Sequence, residues 1–322
     1  MESSPMEPWP LKSKTIVGAS DGPHLVITGG VHGDEWEPMA ACRRLLAEID
    51  PAYVRGRITI VPVVNEPAFL RGRRTAEDEL DLARTCPGRD DGTVTEQIAA
   101  SLSRLIRTAD FYIDLHTAGT VFEMLALAGY NLHTDPGILE TQRKMAHAFG
   151  LPIVWGTNAR LDGRSLSVAR DAGVPAIYVE NGGGGMCYGG RVGEMVRGCL
   201  RTAHVLGLLT DDVLVASNEI LERYELLYVV EDDRDASGHL QVQSQAPAAG
   251  FFEPRVRLGD VVARGDAIGR IVDPLGASLA EITAYETGTV LLLRSYPSVR
   301  LGDPLVVILP ITEPGTATFS RD

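Results

Sequence analysis

From His24 to about Leu209, short β-branched runs alternate with amphipathic helical patterns, and this alternation constrains the fold more than any other feature of the chain. It is the rhythm of an α/β domain with a largely parallel or mixed sheet. Strands are expected at His24 to Thr28, Ile58 to Val64, Phe111 to Leu115, Met124 to Ala128, Ile153 to Trp155 and Ala176 to Glu180. Helices are expected at about Trp36 to Ile49, Thr95 to Thr108, Gly137 to Phe149 and Val192 to Leu209. In the second of these helices Ile98, Leu102, Leu105 and Ile106 form one apolar stripe.

After roughly Tyr224 the helical period gives way to short strands and glycine turns, and Val256-Arg-Leu-Gly-Asp260 recurs as Val299-Arg-Leu-Gly-Asp303. Two copies of one turn in a β-rich segment predict a small pseudo-symmetric sandwich whose halves bury their faces on each other. The segment resembles the barrel-sandwich domains of biotinyl and lipoyl type, which carry a modifiable lysine at a hairpin. Lys12, Lys14 and Lys144 are the only lysines here, so a swinging-arm carrier is excluded. The acidic loop Glu231 to Asp235 reads as a solvated turn rather than a metal site. The expected division is a catalytic domain over residues 1–222 and a small β-rich domain over residues 223–322.

Acidic residues outnumber basic ones by 43 to 30, a formal charge of −13, which repels phosphate backbones and anionic lipid. Nucleic-acid and membrane partners are therefore not expected. The start of the chain lacks a basic stretch followed by an apolar one, and no apolar run approaches the roughly 20 residues of a membrane helix. The expectation is a cytoplasmic protein. Cys42, Cys86, Cys187 and Cys199 lie far apart with no C-x-x-C pair, which predicts reduced thiols and no thiolate zinc cluster.

Three apolar strands end on groups that can do chemistry. In Gly29-Gly-Val-His-Gly-Asp-Glu35, a strand runs into two glycines, then His32, then Glu35 at a helix start, so imidazole and carboxylate can face one side of a cleft. The simpler reading makes Glu35 a first-turn acid favoured by the helix dipole and His32 a satisfied turn histidine. In Asp110-Phe-Tyr-Ile-Asp-Leu-His116, strand alternation puts Asp114 and His116 on one face, where Asp114 can orient an imidazole. Two histidines and one glutamate leave a fourth position open, which is the catalytic form of a zinc site. The third run, Val174-Pro-Ala-Ile-Tyr-Val-Glu180, ends on a carboxylate before four glycines, and Glu180 is the candidate proton carrier. His24, His133, His147, His204 and His239 lack such context and read as surface or packing residues.

His-x-x-Glu after Gly-Gly, then Asp-Leu-His, then a glutamate before a glycine run resembles the succinylglutamate desuccinylase/aspartoacylase family, within the carboxypeptidase A type of zinc hydrolases. The resemblance spans roughly residues 24 to 310. It implies a three-layer α/β/α domain with a mixed sheet, one Zn(2+) per chain held by His32, Glu35 and His116, and hydrolysis of an N-acyl amino acid. By position, Arg73 matches the family arginine that polarises the scissile carbonyl and Arg84 the one that grips the substrate carboxylate, while Asn65 opens the family segment that meets the substrate. A solvated basic loop is the plainer reading of Arg71, Arg73 and Arg74. Where the family has Asp-Leu-Asn-Arg before an aromatic residue, this chain has Ala83 for the asparagine and Cys86 for the aromatic. Arg170, ten residues before Glu180, is like a substrate-binding arginine of the aspartoacylase branch. Tyr285 is a candidate phenolic donor at the cleft mouth, against the reading of an ordinary hairpin tyrosine.

A deacylase of small N-acyl amines is the function expected, with a small-molecule partner, and a homo-oligomer is compatible with it. A metallocarboxypeptidase needs the same zinc, arginines and base. A non-catalytic protein that keeps the scaffold is a third reading, opposed by the presence of all three ligands and Glu180.

Overall fold

The computed structural model describes residues 9–211, 225–235, 237–238 and 244–320. The strands in chain order are β1 (Lys14–Val17), β2 (Ser20–Thr28), β3 (Arg55–Val61), β4 (Phe111–His116), β5 (Phe122–Met124), β6 (Leu127–Asn131), β7 (Ile153–Thr157), β8 (Ala176–Glu180) and β9 (Tyr228–Asp232). They continue with β10 (Gly250–Pro254), β11 (Val261–Val262), β12 (Ala267–Val272), β13 (Ser278–Thr283), β14 (Gly288–Arg294), β15 (Ser298–Val299), β16 (Val306–Leu309) and β17 (Gly315–Phe319). The α-helices are α1 (Trp36–Glu48), α2 (Glu66–Arg71), α3 (Val94–Ile106), α4 (Pro136–Phe149), α5 (Ser165–Asp171) and α6 (Gly189–Val205).

Nine strands form one mixed sheet in the order β1-β3-β2-β4-β8-β6-β7-β9-β17. Only the β1–β3 and β6–β8 pairs are antiparallel. Alternation along the strands sorts the core into two layers. Leu25, Ile27, Ile113, Leu115, Ile177 and Val179 pack under α1, α4 and α6. Val26, Tyr112 and Ala176 face α3 and α5 instead. By the same alternation Asp114, His116, Tyr178 and Glu180 belong to the α3/α5 face, and this parity brings them together. The expected helix Thr95 to Thr108 is observed as α3, where the Glu96 carboxylate accepts from Thr93 N at 2.7 Å. No helix among the described residues is long and apolar enough to cross a membrane.

Two expectations are corrected by the topology. The run Met124 to Ala128 is not one strand: β5 ends at Met124 and pairs with β14, whereas β6 starts at Leu127 and pairs in the main sheet. An apolar run looks the same whether or not the chain changes sheets within it. The boundary at 222/223 lies outside the described residues, but β9 and β17 beyond it are strands of the main sheet. The β-rich part is therefore an insertion between β9 and β17, built of the sheets β13-β12-β10-β15 and β11-β14-β16 around Phe252, Ile268, Ile271, Val290 and Ile308.

The sequence repeat builds the same turn twice in that insertion. Asp260 accepts from Arg257 N at 2.7 Å and Asp303 from Arg300 N at 3.0 Å. Gly259 and Gly302 both take φ 87°, a left-handed backbone that favours glycine. A third turn of this kind, with Asp266 accepting from Ala263 N at 2.8 Å and Gly265 at φ 93°, falls on Val262-Ala-Arg-Gly-Asp266, which keeps only the Val, Gly and Asp of the repeat.

Candidate functional site

The turn after β2 places the first two groups. Gly30, at φ 66°, redirects the chain, and His32 follows within a segment packed tightly on α2. A Cβ on Gly33 would lie 2.0 Å from the carbonyl carbon of Ala68, so no larger residue fits without moving backbone. We expect Gly33→Ala to destabilise the fold by about 2 kcal/mol or more, measured by urea unfolding.

Glu35 stands at the N-cap position of α1 in extended backbone, yet its side chain caps nothing. Its carboxylate is engaged by imidazoles instead: Oε1 lies 2.6 Å from His32 Nδ1, and Oε2 lies 3.0 Å from His116 Nδ1. The reading of Glu35 as a mere first-turn acid fails on this geometry. Thr117 N also donates to Oε2, at 3.2 Å.

The outer nitrogen of each ring is met by a second carboxylate. His32 Nε2 is 3.1 Å from Asp81 Oδ1, and His116 Nε2 is 3.2 Å from Asp114 Oδ2. Asp114 is itself held by Thr28 Oγ1 at 2.7 Å and by the Ser165 hydroxyl. Such carboxylates fix the tautomer and aim the inner nitrogens of both rings at one point.

His32, Glu35 and His116 are all buried, and one donor atom from each lies within 4.8 Å of the others. Burial alone would lower His116, but the carboxylates of Asp114 and Glu35 outweigh it and hold the ring well above its ordinary value. Burial would likewise raise Glu35, yet the two imidazoles hold it well below the carboxylate range. The field at this point calls for positive charge, which a metal dication supplies with both rings neutral. The donor set therefore fits a bound zinc ion, and these three residues could hold it.

Glu180 is in register with His116 across the β4–β8 pair. It is half-buried, its Oε2 is shielded and has no hydrogen-bond partner among the described residues, and desolvation pushes the carboxyl up to about 8. A carboxyl that holds a proton this tightly is suited to accept and return one near neutrality.

One cavity joins these groups to Arg74, Arg84, Arg164, Tyr178 and Asn131. The β insertion reaches it through Leu292 of β14. Arg74, not Arg73, is the arginine at the site: Arg73 is exposed and does not line the cavity. Arg74 grips Asp81 Oδ2 with Nε at 3.2 Å and Nη2 at 3.0 Å, and its Nη1 is 3.8 Å from Glu35 Oε1. In the loop after α2, neighbouring side chains diverge, so a shift of one position exchanges surface for cleft.

Arg84 lines the cavity beside Ala83. Arg170, in the last turn of α5, does not: it is tied to Asp171 at 2.7 Å and Asp162 at 2.8 Å. Arg164, six residues earlier, lines the cavity in its stead, and burial together with the neighbouring Arg84 lowers it to about 10. Asn65 is the N-cap of α2, its Oδ1 accepting from Ala68 N at 3.2 Å, and it does not line the cavity. Tyr285 is also elsewhere, its hydroxyl 2.9 Å from Ile308 N in a separate cavity with Trp155, Arg234 and Glu286. Cys86 is buried with its thiol pushed up to about 12 by burial, an inert packing residue.

Asp81, Arg74, Arg164, Ser165 and Asn131 escaped the sequence reading. Asp81 opens the Asp-Leu-Ala-Arg stretch already singled out, and Arg164 precedes a serine at a helix start, so both left a trace. His24 bonds Thr108 O and Thr59 Oγ1 as a packing residue. His239 lies outside the described residues.

An α/β sheet that gathers a His/Glu/His cluster, a shielded carboxyl and cationic side chains at one strand-end cavity has the parts of a hydrolytic site. The succinylglutamate desuccinylase/aspartoacylase catalytic domain model matches residues 21–205. The N-alpha-acetyl-L-2,4-diaminobutyric acid deacetylase of Halomonas elongata is 32% identical over 308 residues, covering 93% of this chain and 85% of that protein. The product-bound ectoine utilization protein EutE (DoeB) of Ruegeria pomeroyi superposes with a TM-score of 0.81 at 27% identity, over 92% of this chain and 87% of that one. A succinylglutamate desuccinylase/aspartoacylase from Rhodobacter sphaeroides does so at 0.78 and 26%, over 93% and 89%. The chain belongs to the succinylglutamate desuccinylase/aspartoacylase family. It is a hydrolase that acts on amide bonds.

Proposed function

We propose that the chain is a zinc-dependent deacylase that cleaves the amide bond of a small N-acyl amino acid, with one zinc per chain held by His32, Glu35 and His116. The observation that carries this reading is the convergence of that buried triad with Glu180 in one cavity that also holds Arg84 and Arg164. The similarity to a deacetylase of an N-acetylated amino acid supports it. When bound, zinc supplies Lewis acidity and lowers the pKa of a water molecule to about 7.

The chain's own residues supply the rest. Asp81 and Asp114 hold the outer ring nitrogens, so the inner ones stay aimed at the cluster. Glu180 takes the proton of the attacking water on its carboxylate and returns it to the amide nitrogen as the C–N bond breaks. Arg74, fixed by its fork on Asp81, stabilises the negative charge that develops on the carbonyl oxygen. Arg84 forms no ion pair among the described residues and holds the substrate's α-carboxylate, a planar group that suits a guanidinium fork. Leu292 and Phe122, from the paired strands β14 and β5, wall the cavity and favour a short substrate over a long peptide.

Two arginine comparisons follow from this placement. Arg74→Ala should lower kcat by about 10²-fold, as loss of an oxyanion donor does, while Arg73→Ala should leave steady-state rates within about twofold. Arg84→Ala should act on KM instead, since a substrate carboxylate left without its partner costs about 2 to 5 kcal/mol. Steady-state kinetics of the three variants checks this, and equal effects at 73 and 74 would contradict the assignment.

The direct test of function is to incubate zinc-loaded protein with N-acetyl and N-succinyl amino acids beside C-terminal dipeptides and measure the free amines released. Release from the acylated amino acids is expected. Cleavage of dipeptides alone would transfer the chain to the metallocarboxypeptidase reading.

A further inference from the structure

We infer that Asn131 sets the side-chain specificity of this enzyme, by hydrogen-bonding substrate side chains that end in an acceptor, a carboxylate or a carbonyl. The inference rests on the deacylase reading above and adds the identity of the group that the inner end of the cavity selects.

The register of the sheet places Asn131 there. β6 runs antiparallel to β8, with Leu127 opposite Glu180 and Gly129 opposite Tyr178. Alternation then puts Leu127, Gly129 and Asn131 on the face shared by Glu180 and Tyr178, so Asn131 lies along that face away from the catalytic carboxyl. Gly129 is what lets the cavity extend in this direction. A Cβ at that position would lie 2.3 Å from the Tyr178 ring, so the ring covers the strand only because position 129 has no side chain.

Asn131 lines the cavity at 3% exposure, and its Nδ2 has no hydrogen-bond partner among the described residues. Its Oδ1 lies 3.4 Å from Thr157 Oγ1, a long contact. A buried amide with an unmet donor is costly unless something else meets it. The surroundings show what that is. Arg164 gives Nη2 to the Gly238 carbonyl at 3.1 Å and forms no ion pair among the described residues, and Gly238 lines the same cavity. The inner end therefore offers donors from Asn131 and Arg164, and an ammonium group placed there would face a guanidinium. Turning the amide over would present Oδ1 instead, and an aspartate variant at this position reproduces that polarity.

The test is kcat and KM for the zinc-loaded wild type, Asn131→Ala and Asn131→Asp on N-acetylaspartate, N-acetylglutamate, N-acetylalanine and N-acetyl-2,4-diaminobutyrate, with zinc content measured for each protein. Asn131→Ala should raise KM about tenfold for the better acidic substrate, and Asn131→Asp should raise it further through carboxylate repulsion. Both should leave N-acetylalanine within about twofold and zinc unchanged. Equal losses on all substrates would mean that Asn131 only supports the fold, and would overturn the inference. A wild type that turns over N-acetyl-2,4-diaminobutyrate better than both acidic substrates would overturn it too, by showing that the inner end accepts cations. A zinc-loaded wild type that hydrolyses none of the four, while cleaving dipeptides or nothing, would remove the deacylase reading and this inference with it.

Discussion

Glu180→Gln should lower turnover by about 10² to 10⁴, or roughly 3 to 5 kcal/mol of barrier, with zinc content and unfolding midpoint unchanged. The amide keeps the shape of the carboxyl and its place in register with His116, but it has no basic oxygen to take a proton. Burial raises the carboxyl to about 8, into the range where it can both take and return a proton, and the variant keeps the shape of the group while removing that exchange. The loss should fall on kcat more than on KM, because the proton moves in the transition state. Turnover within a few-fold of wild type on the preferred substrate would exclude Glu180 as the proton carrier.

His32→Ala, Glu35→Ala and His116→Ala should each reduce zinc from about one per chain to near zero at submicromolar free metal, measured by elemental analysis after dialysis. Each removes one of three donors that meet within 4.8 Å, and two donors do not make a stable site. Asp81→Ala and Asp114→Ala should show a graded effect, a loss of about 10- to 100-fold in metal affinity, because they only orient the rings. That ordering separates ligands from the carboxylates behind them. Full zinc in all three ligand variants would place the metal elsewhere.

Much of this site was legible because it sits where strands stop. An apolar run that ends in His116 or Glu180 has its direction set by strand parity, so the sequence alone aligned Asp114 with His116. Parity gives no help in a loop, which is why the arginine of the 71–74 stretch was placed one residue from Arg74. Counting back ten residues from Glu180 leads to Arg170, in the last turn of a seven-residue helix too short to show a helical period, whereas the cavity takes Arg164 just before its first turn. Asn131 left no trace, since its role depends on which strand lies opposite β6 and on the absence of a side chain at Gly129. The return of β17 to the main sheet was equally hidden, because a strand of five residues looks alike in either part of the molecule.

The central claim is that a hydrolytic centre is assembled only when the His32, Glu35 and His116 cluster holds zinc. Its most direct test is to strip the protein with a chelator, add zinc in steps, and follow bound metal and amine release from an N-acetyl amino acid in the same samples. Activity should rise in proportion to bound zinc and level off at about one ion per chain. Stripped protein that keeps full activity, or activity that continues to climb well beyond one bound zinc, would contradict it.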